Sequence, residues 1–160
     1  MFEYLLELLR DFKWSKYTSF PDAKNNWRFG SLSQNVGYVI RHFQKGRPLV
    51  PSRFMAKDDR IYRECKNLFP DFTFNAIQIN KNLLCPPHRD KNNYGTSLIF
   101  SLGDFEGGNL NVEGQSIDIY EQPFEFDGSK QTHYTEDFDG ERYSVVLFNL
   151  KNWNKSNKIK

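Results

Sequence analysis

The spacing of apolar residues changes from helical to strand-like near the middle of the chain. Apolar side chains between positions 5 and 12 recur at intervals of three and four, which places them on one face of a helix. The same spacing from Ile61 to Leu68 predicts a second helix over residues 58–68, which Pro70 ends. We predict strands only from residue 72 onwards.

After residue 72, short runs of apolar and β-favouring residues follow one another in a pattern that is typical of strands. The predicted strands are residues 74–80, 97–102, 109–112, 116–120 and 124–126, a segment around His133, and residues 143–148. Glycine-containing pairs mark predicted turns at Gly103-Asp104, Gly107-Gly108, Glu113-Gly114, Asp127-Gly128 and Asp139-Gly140. Many short strands at even spacing indicate a sandwich, a jelly roll or a barrel.

The composition fits one folded domain in a reducing compartment. The chain has 160 residues and a mass of 19.0 kDa, and its 15 Phe, 8 Tyr and 3 Trp supply apolar volume for a core. Cys65 and Cys85 lack the spacing of a metal site or of a disulfide framework. Acidic residues interrupt the apolar start, unlike a signal peptide, and no run approaches the roughly 18 apolar residues of a membrane span. We therefore expect a soluble, monomeric protein of the cytoplasm or nucleus.

Charge is distributed unevenly, although the net charge is only +2. Residues 41–63 hold seven basic and two acidic residues, a local +5, whereas residues 91–150 hold three basic and eleven acidic residues, a local −8. The last ten residues add four lysines and no acids. The basic segments, which include His42, fit either a phosphate-binding surface beside a site or ordinary solvated faces.

Two of the three histidines lie where a mononuclear iron site would need them. His88 and Asp90 flank a single residue, so both side chains point to one face of an extended segment and can reach one ion. His133 follows 45 positions after His88 and would arrive from another strand. Two imidazoles and one carboxylate on one face of a metal are typical of non-haem Fe(II) oxygenases. The alternative is an accidental His-x-Asp tripeptide, with His133 on the surface.

Arg142 lies nine residues after His133, at the start of an apolar strand that also contains Ser144. A guanidinium offers two parallel donors to a carboxylate, so an arginine here suits a carboxylate co-substrate. Strand alternation predicts that Arg142 and Ser144 point into the same cavity. A tight turn at 139–140 would pair Arg142 with Asp137, whereas a longer loop would place it opposite His133.

Three stretches of the chain resemble the TET/JBP family of nucleic-acid base oxygenases. They are Gln78-Ile79-Asn80-Lys81-Asn82 through His88-Arg89-Asp90-Lys91-Asn92-Asn93, residues 97–110, and Gly140-Glu141-Arg142-Tyr143-Ser144. The resemblance covers about residues 72–149 and implies the Fe(II)/2-oxoglutarate superfamily.

The family's fold is a double-stranded β-helix (jelly roll), which is α+β but mainly β, with N-terminal helices packed on one sheet. The resemblance thus implies a single dioxygenase domain over residues 1–160. Within it, residues 1–71 form a helical support region, residues 72–149 the core, and residues 150–160 a basic tail.

Carried over residue by residue, the resemblance makes His88, Asp90 and His133 the ligands of Fe(II). The co-substrates would be 2-oxoglutarate and O₂. Arg142 and Ser144 would bind the distal carboxylate of 2-oxoglutarate.

Two asparagines near the motif have both a functional and a structural interpretation. Asn82 is a candidate for a co-substrate contact, or a polar turn residue. Asn93 lies three positions after Asp90, where the family places a polar side chain that binds the target base. The same amide could cap the loop before Gly95.

The resemblance implies hydroxylation of a C–H group, and the substrate it favours is the 5-methyl group of a pyrimidine base in nucleic acid, DNA rather than RNA. A base in a duplex would have to be flipped out, so single-stranded or already exposed nucleotides are also credible substrates. Two other functions stay open at this point. One is a prolyl-type protein hydroxylase or a small-molecule hydroxylase with the same iron site, and the other is a catalytically inactive, metal-free jelly-roll binding module.

Overall fold

Strands outnumber helices in the computed structural model, which describes residues 1–15, 31–40 and 49–150. The described helices are α1 (Glu3–Asp11), α2 (Arg53–Lys57) and α3 (Arg60–Leu68). The described strands are β1 (Leu32–Asn35), β2 (Tyr38–Val39), β3 (Val50–Pro51), β4 (Ala76–Lys81), β5 (Ser97–Gly107), β6 (Leu110–Val112), β7 (Gln115–Ile117), β8 (Phe124–Phe126), β9 (His133–Thr135) and β10 (Phe138–Phe148). In these ranges no helix has the length and apolarity that crossing a bilayer requires.

A five-stranded sheet with the order β1-β4-β10-β5-β8 is the largest element of the fold. Its central strand, β10, pairs antiparallel with β5 on one side and with β4 on the other. A second sheet has the order β7-β6-β9, and β2 and β3 form a separate two-stranded ribbon. The predicted class, mainly β with a few helices, is confirmed.

The helices cover one face of the main sheet. Tyr143, Val145 and Leu147 of β10 point to that face and share a buried cluster with Leu5 of α1 and Cys65 of α3. Each fully buried leucine of α1 contributes about 1.5–3 kcal/mol relative to an exposed one. Both predicted helices are confirmed, and they pack on the face of the sheet to which Tyr143, Val145 and Leu147 point.

The opposite face of the main sheet packs against the second sheet. Ile99 of β5 contacts a buried cluster that includes Leu110 and Val112 of β6, with Val146 of β10 against it. Because neighbouring residues of a strand point to opposite faces, β10 presents Ser144 and Val146 to the space between the sheets. That space contains the candidate site.

The first half of the chain contributes strands that the apolar pattern did not predict. β1 has the sequence Leu32-Ser33-Gln34-Asn35 and pairs antiparallel with β4 at the edge of the main sheet. Ser33 and Gln34 are both buried, so a polar sequence here occupies interior positions. An alternation of apolar and polar residues therefore could not have revealed this strand.

The turns predicted at residues 103–104 and 139–140 are wrong, because both glycines lie inside long strands. A Cβ atom at Gly103 would lie 2.2 Å from the carbonyl oxygen of Glu141, and one at Gly140 would lie 2.4 Å from that of Asp104. Their φ angles, +124° and +113°, also disfavour other residues. These glycines permit close approach of β5 and β10 and do not reverse the chain.

The register of β10 is therefore different from both predicted alternatives. β10 begins at Phe138, and Arg142 pairs with Gly103 of β5. Arg142 faces neither Asp137 nor His133 across a hairpin.

Candidate metal centre and co-substrate pocket

Backbone hydrogen bonds fix His88 and His133 beside each other. Each backbone N–H donates to the carbonyl oxygen of the other residue, with N···O distances of 3.0 Å. This bridge places His88 next to β9, along the edge of the second sheet. The backbone N–H of Asp90 donates to the carbonyl oxygen of Gly128 at 2.8 Å. The two predicted ligand segments are thus held to each other before any ion binds.

The side chains of His88, Asp90 and His133 converge on one point. One possible ligand atom from each residue lies within 4.8 Å of those of the other two. The Nε2 atoms of His88 and His133 lie 3.3 and 3.2 Å from the two carboxylate oxygens of Asp90. The structure therefore brings together the three residues predicted from the sequence spacing.

Backbone carbonyl groups orient both imidazole rings. The Nδ1 atom of His88 lies 2.7 Å from the carbonyl oxygen of Pro86, and that of His133 lies 2.9 Å from the carbonyl oxygen of Gln131. Because a carbonyl can only accept, Nδ1 carries a proton in each ring. The Nε2 atoms then face the cluster, the arrangement that metal-binding histidines commonly adopt.

Hydrogen bonds within the cluster shift the pKa values of His88 and Asp90 in opposite directions. Burial alone would lower the pKa of His88, but its hydrogen bonds with Asp90 and Cys85 outweigh burial and raise the pKa to about 11. Burial alone would raise the pKa of Asp90, yet hydrogen bonds with His133 and His88 hold it well below its usual range. The cluster stabilises positive charge between its ligand atoms, and a bound divalent cation would replace the His88 proton.

Gly128 leaves room for the ligands, a role that the sequence did not reveal. A Cβ atom at this position would lie 3.0 Å from Oδ2 of Asp90 and 3.4 Å from Cε1 of His133. On the same side, the ring of Phe126 meets the His133 ring edge-on at a centroid distance of 4.8 Å. The sequence pattern predicted only a turn at residues 127–128, because contacts with distant residues leave no local signal.

The cluster lies in the wall of a cavity of about 530 Å³ between the two sheets. Such a volume falls in the range of roughly 300–1,000 Å³ that is usual for small-ligand sites. Ser144 and Asn93, both predicted site residues, line this cavity. The side-chain amide nitrogen of Asn93 lies 3.4 Å from the hydroxyl of Ser97, a long contact that ties it only loosely.

A row of polar residues on β4 also faces the cavity. Gln78 and Asn80 line it, whereas Ile77 and Ile79, which alternate with them, are buried in the helix-covered core. Nδ2 of Asn80 donates to the hydroxyl of Ser144 at 2.9 Å. The sequence interpretation did not assign these two residues to the site, although their strict alternation with isoleucine could have done so.

Arg142 is buried, with 2% of its surface exposed, and unlike Ser144 it is not among the described residues that line the cavity. One terminal nitrogen donates to the carbonyl oxygen of Gly108 at 2.9 Å, and Nε has no hydrogen-bond partner among the described residues. The guanidinium carbon lies 5.6 and 5.4 Å from the ring centroids of Phe105 and Phe138. Burial lowers the pKa of Arg142 to about 10, so the side chain stays charged at neutral pH. A buried cation with an unused donor is suited to an anionic ligand.

Asn82 holds the backbone of Arg142. Its side-chain oxygen accepts a hydrogen bond from the Arg142 N–H at 2.8 Å, and its own N–H donates to the Arg142 carbonyl oxygen at 2.7 Å. Its φ angle of +53° lies in the left-handed region, which asparagine tolerates better than most residues. Asn82 does not line the cavity. A direct contact between Asn82 and a co-substrate stays a prediction.

The described part of the basic segment 41–63, residues 49–63, does not border the cavity. Arg60 and Arg63 pair with Asp58 and Asp59 at 2.8 Å, and their helix, α3, packs on the opposite face of the main sheet. His42 and the cations at 41, 45 and 47, like the tail after residue 150, lie outside the described residues.

The cavity rim carries its own cations. Arg89 and Lys91 line the cavity, and Asp90 is the only acidic residue among the described residues that line it. A phosphate-binding surface beside the site would therefore come from the motif segment itself.

Comparison with known proteins places this fold. No protein-family model and no curated protein sequence matches the chain. The structure of NgTET1 in complex with 5mC DNA is similar, with 13% sequence identity and a TM-score of 0.59 over 75% of this chain and 61% of the NgTET1 chain. An oxidoreductase of the 2OG-Fe(II) oxygenase family from Burkholderia pseudomallei is also similar, with 18% identity and a TM-score of 0.55 over 98% of this chain and 80% of that one.

The chain thus spans less than two thirds of the NgTET1 chain that it matches. At these identities the likenesses show the fold. It is a mainly β fold of antiparallel sheets with a few helices, consistent with the jelly-roll fold of 2OG-Fe(II) oxygenases.

Proposed function

We propose that the protein is an Fe(II)- and 2-oxoglutarate-dependent dioxygenase with a double-stranded β-helix core, which hydroxylates a C–H group. The convergence of His88, Asp90 and His133 within 4.8 Å, in the wall of a ligand-sized cavity, carries this proposal. The likeness in fold to a 2OG-Fe(II) oxygenase supports it. In the balanced reaction, 2-oxoglutarate, O₂ and the substrate C–H group give succinate, CO₂ and a C–OH group.

The donor set of the cluster fits Fe(II). Two imidazole nitrogens and one carboxylate, all from one side, are the ligands of the facial iron site and leave coordination positions for other molecules. When bound, the iron would supply the activation of O₂. The protein's own contribution is to hold the Nε2 atoms and the Asp90 carboxylate at the same point through the backbone contacts of His88, His133 and Gly128.

The surroundings of Arg142 fit the distal carboxylate of 2-oxoglutarate. Arg142 is charged, buried and incompletely hydrogen-bonded among the described residues, and Ser144 lies two residues along the same face. Since the Ser144 oxygen accepts from Asn80, its own proton is available to a carboxylate. In this proposal Asn82 is a positioning residue, because it fixes the backbone from which the Arg142 side chain extends.

Apolar residues would keep water away from the reacting groups. Leu83, Ile99, Leu110 and Phe126 line the cavity together with the cluster. A mostly apolar wall strengthens the electrostatic contacts of the ligands and protects a reactive site from side reactions.

For the substrate, we propose a nucleobase of a single-stranded or otherwise exposed nucleotide, with the 5-methyl group of a pyrimidine as the target. Asn93 lines the cavity and offers two donors and one acceptor to a base edge. Arg89 and Lys91 on the rim suit phosphates, and the neighbouring Tyr94 is 59% exposed, as a residue that stacks on a base would be. The likeness in fold to NgTET1, whose structure was solved in complex with 5mC DNA, also supports this proposal.

Substrate choice is tested with the Asn93→Ala variant and an oligonucleotide that contains 5-methylcytosine. We expect Asn93→Ala to depress oxidation of the base while it spares substrate-independent 2-oxoglutarate consumption, because the iron and co-substrate contacts remain.

Replacing both Arg89 and Lys91 by glutamine should weaken oligonucleotide binding. The slope of log affinity against log salt concentration should fall by about one for each phosphate that is no longer neutralised. The double variant Arg60→Gln, Arg63→Gln on the opposite face is the matched control, and it should bind like the unchanged protein.

Binding without salt dependence, together with equal base oxidation by Asn93→Ala, would contradict the nucleobase proposal. Turnover of a proline-containing peptide or a small molecule in place of the oligonucleotide would establish the alternative hydroxylase instead. Both measurements use the full chain, with mass analysis of nucleosides and peptides after addition of O₂.

A further inference from the structure

Ser101, in the middle of β5, has a buried hydroxyl without a partner. The residue is 1% exposed, and its Oγ atom has no hydrogen-bond partner among the described residues. Its backbone is satisfied, because its N–H donates to Ile119 and its carbonyl oxygen accepts from Glu121. A hydroxyl taken out of water without a partner is unfavourable, so such a group needs a physical explanation.

The strand register places Ser101 beside the two residues of the proposed carboxylate site. Ser101 lies directly opposite Ser144, and Gly103 lies opposite Arg142. Paired residues of antiparallel strands point to the same face, with Cβ atoms about 4.5–5.5 Å apart. Phe100 and Leu102, the neighbours of Ser101 in sequence, point to the helix-covered face, so Ser101 faces the space between the sheets.

A second unpartnered atom belongs to the neighbouring strand, β10. In the part of the chain that the structure describes, the buried side-chain atoms without a hydrogen-bond partner are Ser101 Oγ and Arg142 Nε. They belong to diagonal neighbours, because Ser101 lies opposite Ser144 and Arg142 lies two residues before Ser144 on β10. A single anionic ligand that reached both side chains would give each of these atoms a partner.

We propose that Ser101 is a co-substrate-binding residue whose hydroxyl donates to the carboxylate held by Arg142 and Ser144. This inference rests on the proposed function and adds a residue that the sequence interpretation did not single out. Ser144 already accepts from Asn80, so its own proton can be donated, and the Ser101 hydroxyl has no partner among the described residues. Arg142 supplies the charge. The ligand class is a small dicarboxylate, with one carboxylate at these residues and the other end towards the metal cluster.

The test compares Ser101→Ala with Ser97→Ala, a buried serine on the same face of the same strand. A hydrogen bond to a charged group corresponds to roughly tenfold or more in affinity. We expect Ser101→Ala to bind 2-oxoglutarate at least about tenfold more weakly in anaerobic calorimetry of the Fe(II)-loaded protein. The melting temperature of the ligand-free protein should stay the same or rise, because the variant removes a buried group that lacks a partner. Ser97→Ala should leave 2-oxoglutarate affinity unchanged.

A purely structural serine would give the opposite pattern, with reduced thermal stability and unchanged affinity, and that result would overturn the inference. If the inference holds, turnover by Ser101→Ala should show a raised KM for 2-oxoglutarate with little change in kcat. Pyruvate lacks the distal carboxylate, so Ser101→Ala and the unchanged protein should bind it equally. If the unchanged protein binds 2-oxoglutarate and Ser101→Ala binds it equally, only the inference fails.

If the unchanged protein does not bind 2-oxoglutarate, the proposed function fails, and the same assay is run with succinate. Succinate binding that Ser101→Ala weakens would then support the inference separately. Absence of dicarboxylate binding would overturn it too.

Discussion

Replacing Asp90 by alanine is expected to abolish iron binding and turnover while the protein stays folded. Asp90 places one oxygen 3.3 Å from Nε2 of His88 and the other 3.2 Å from Nε2 of His133, so it holds the charge at the centre of the cluster. Losing a residue that merely orients a metal ligand typically costs roughly 10–100-fold in metal affinity or activity, and losing a ligand should cost more. His88→Ala should have the same effect. Iron content and succinate production report the loss, and circular dichroism reports the fold.

The matched control for Asp90→Ala is Asp118→Ala. Asp118 is an exposed carboxylate that accepts from the N–H of Tyr120, away from the cavity lining. The control should bind iron and turn over 2-oxoglutarate normally. If Asp90→Ala were equal to Asp118→Ala in both measurements, Asp90 would not be a ligand.

Replacing Arg142 by lysine is expected to weaken 2-oxoglutarate binding by roughly tenfold or more, with iron affinity nearly unchanged. Lysine keeps the positive charge but lacks the planar fork that binds a carboxylate through two parallel hydrogen bonds. It also loses the fixed geometry in which one guanidinium nitrogen holds the Gly108 carbonyl oxygen at 2.9 Å. Anaerobic calorimetry with Fe(II), and then with 2-oxoglutarate, separates the two affinities.

Arg10→Lys provides the control for loss of a guanidinium. Arg10 of α1 forms an ion pair at 2.7 Å with Glu141, the residue that precedes Arg142, and both side chains are partly exposed. Exposed ion pairs contribute about 0–1 kcal/mol, so this variant should bind both ligands normally. Unchanged 2-oxoglutarate affinity in Arg142→Lys would remove Arg142 from the co-substrate site.

The sequence predicted the candidate ligands because their geometry is local. His88 and Asp90 share a face through simple alternation, and a strand around His133 was indicated by its position between turn signals. The same alternation placed Ser144 in the cavity wall, where the structure has it. Periodicity thus predicted which face of a strand each residue occupies.

Register and close contacts could not be predicted in the same way. Gly103 and Gly140 looked like turn residues, because a glycine that permits close approach of two strands has no local signal that distinguishes it from a turn glycine. The neighbours of Gly128 and Ser101 are residues far away in sequence, so their surroundings are defined only once the sheets are assembled. The polar strand β1 has no apolar alternation to detect.

The most direct measurement of the central claim is succinate formation from 2-oxoglutarate by the Fe(II)-loaded protein after addition of O₂, with His133→Ala in parallel. We expect succinate from the unchanged protein only when Fe(II), 2-oxoglutarate and O₂ are all present. His133→Ala should form none, since it removes one of the two imidazoles from the cluster. Succinate formation that His133→Ala retains, or its absence from the unchanged protein with each tested substrate class, would contradict an iron- and 2-oxoglutarate-dependent oxygenase.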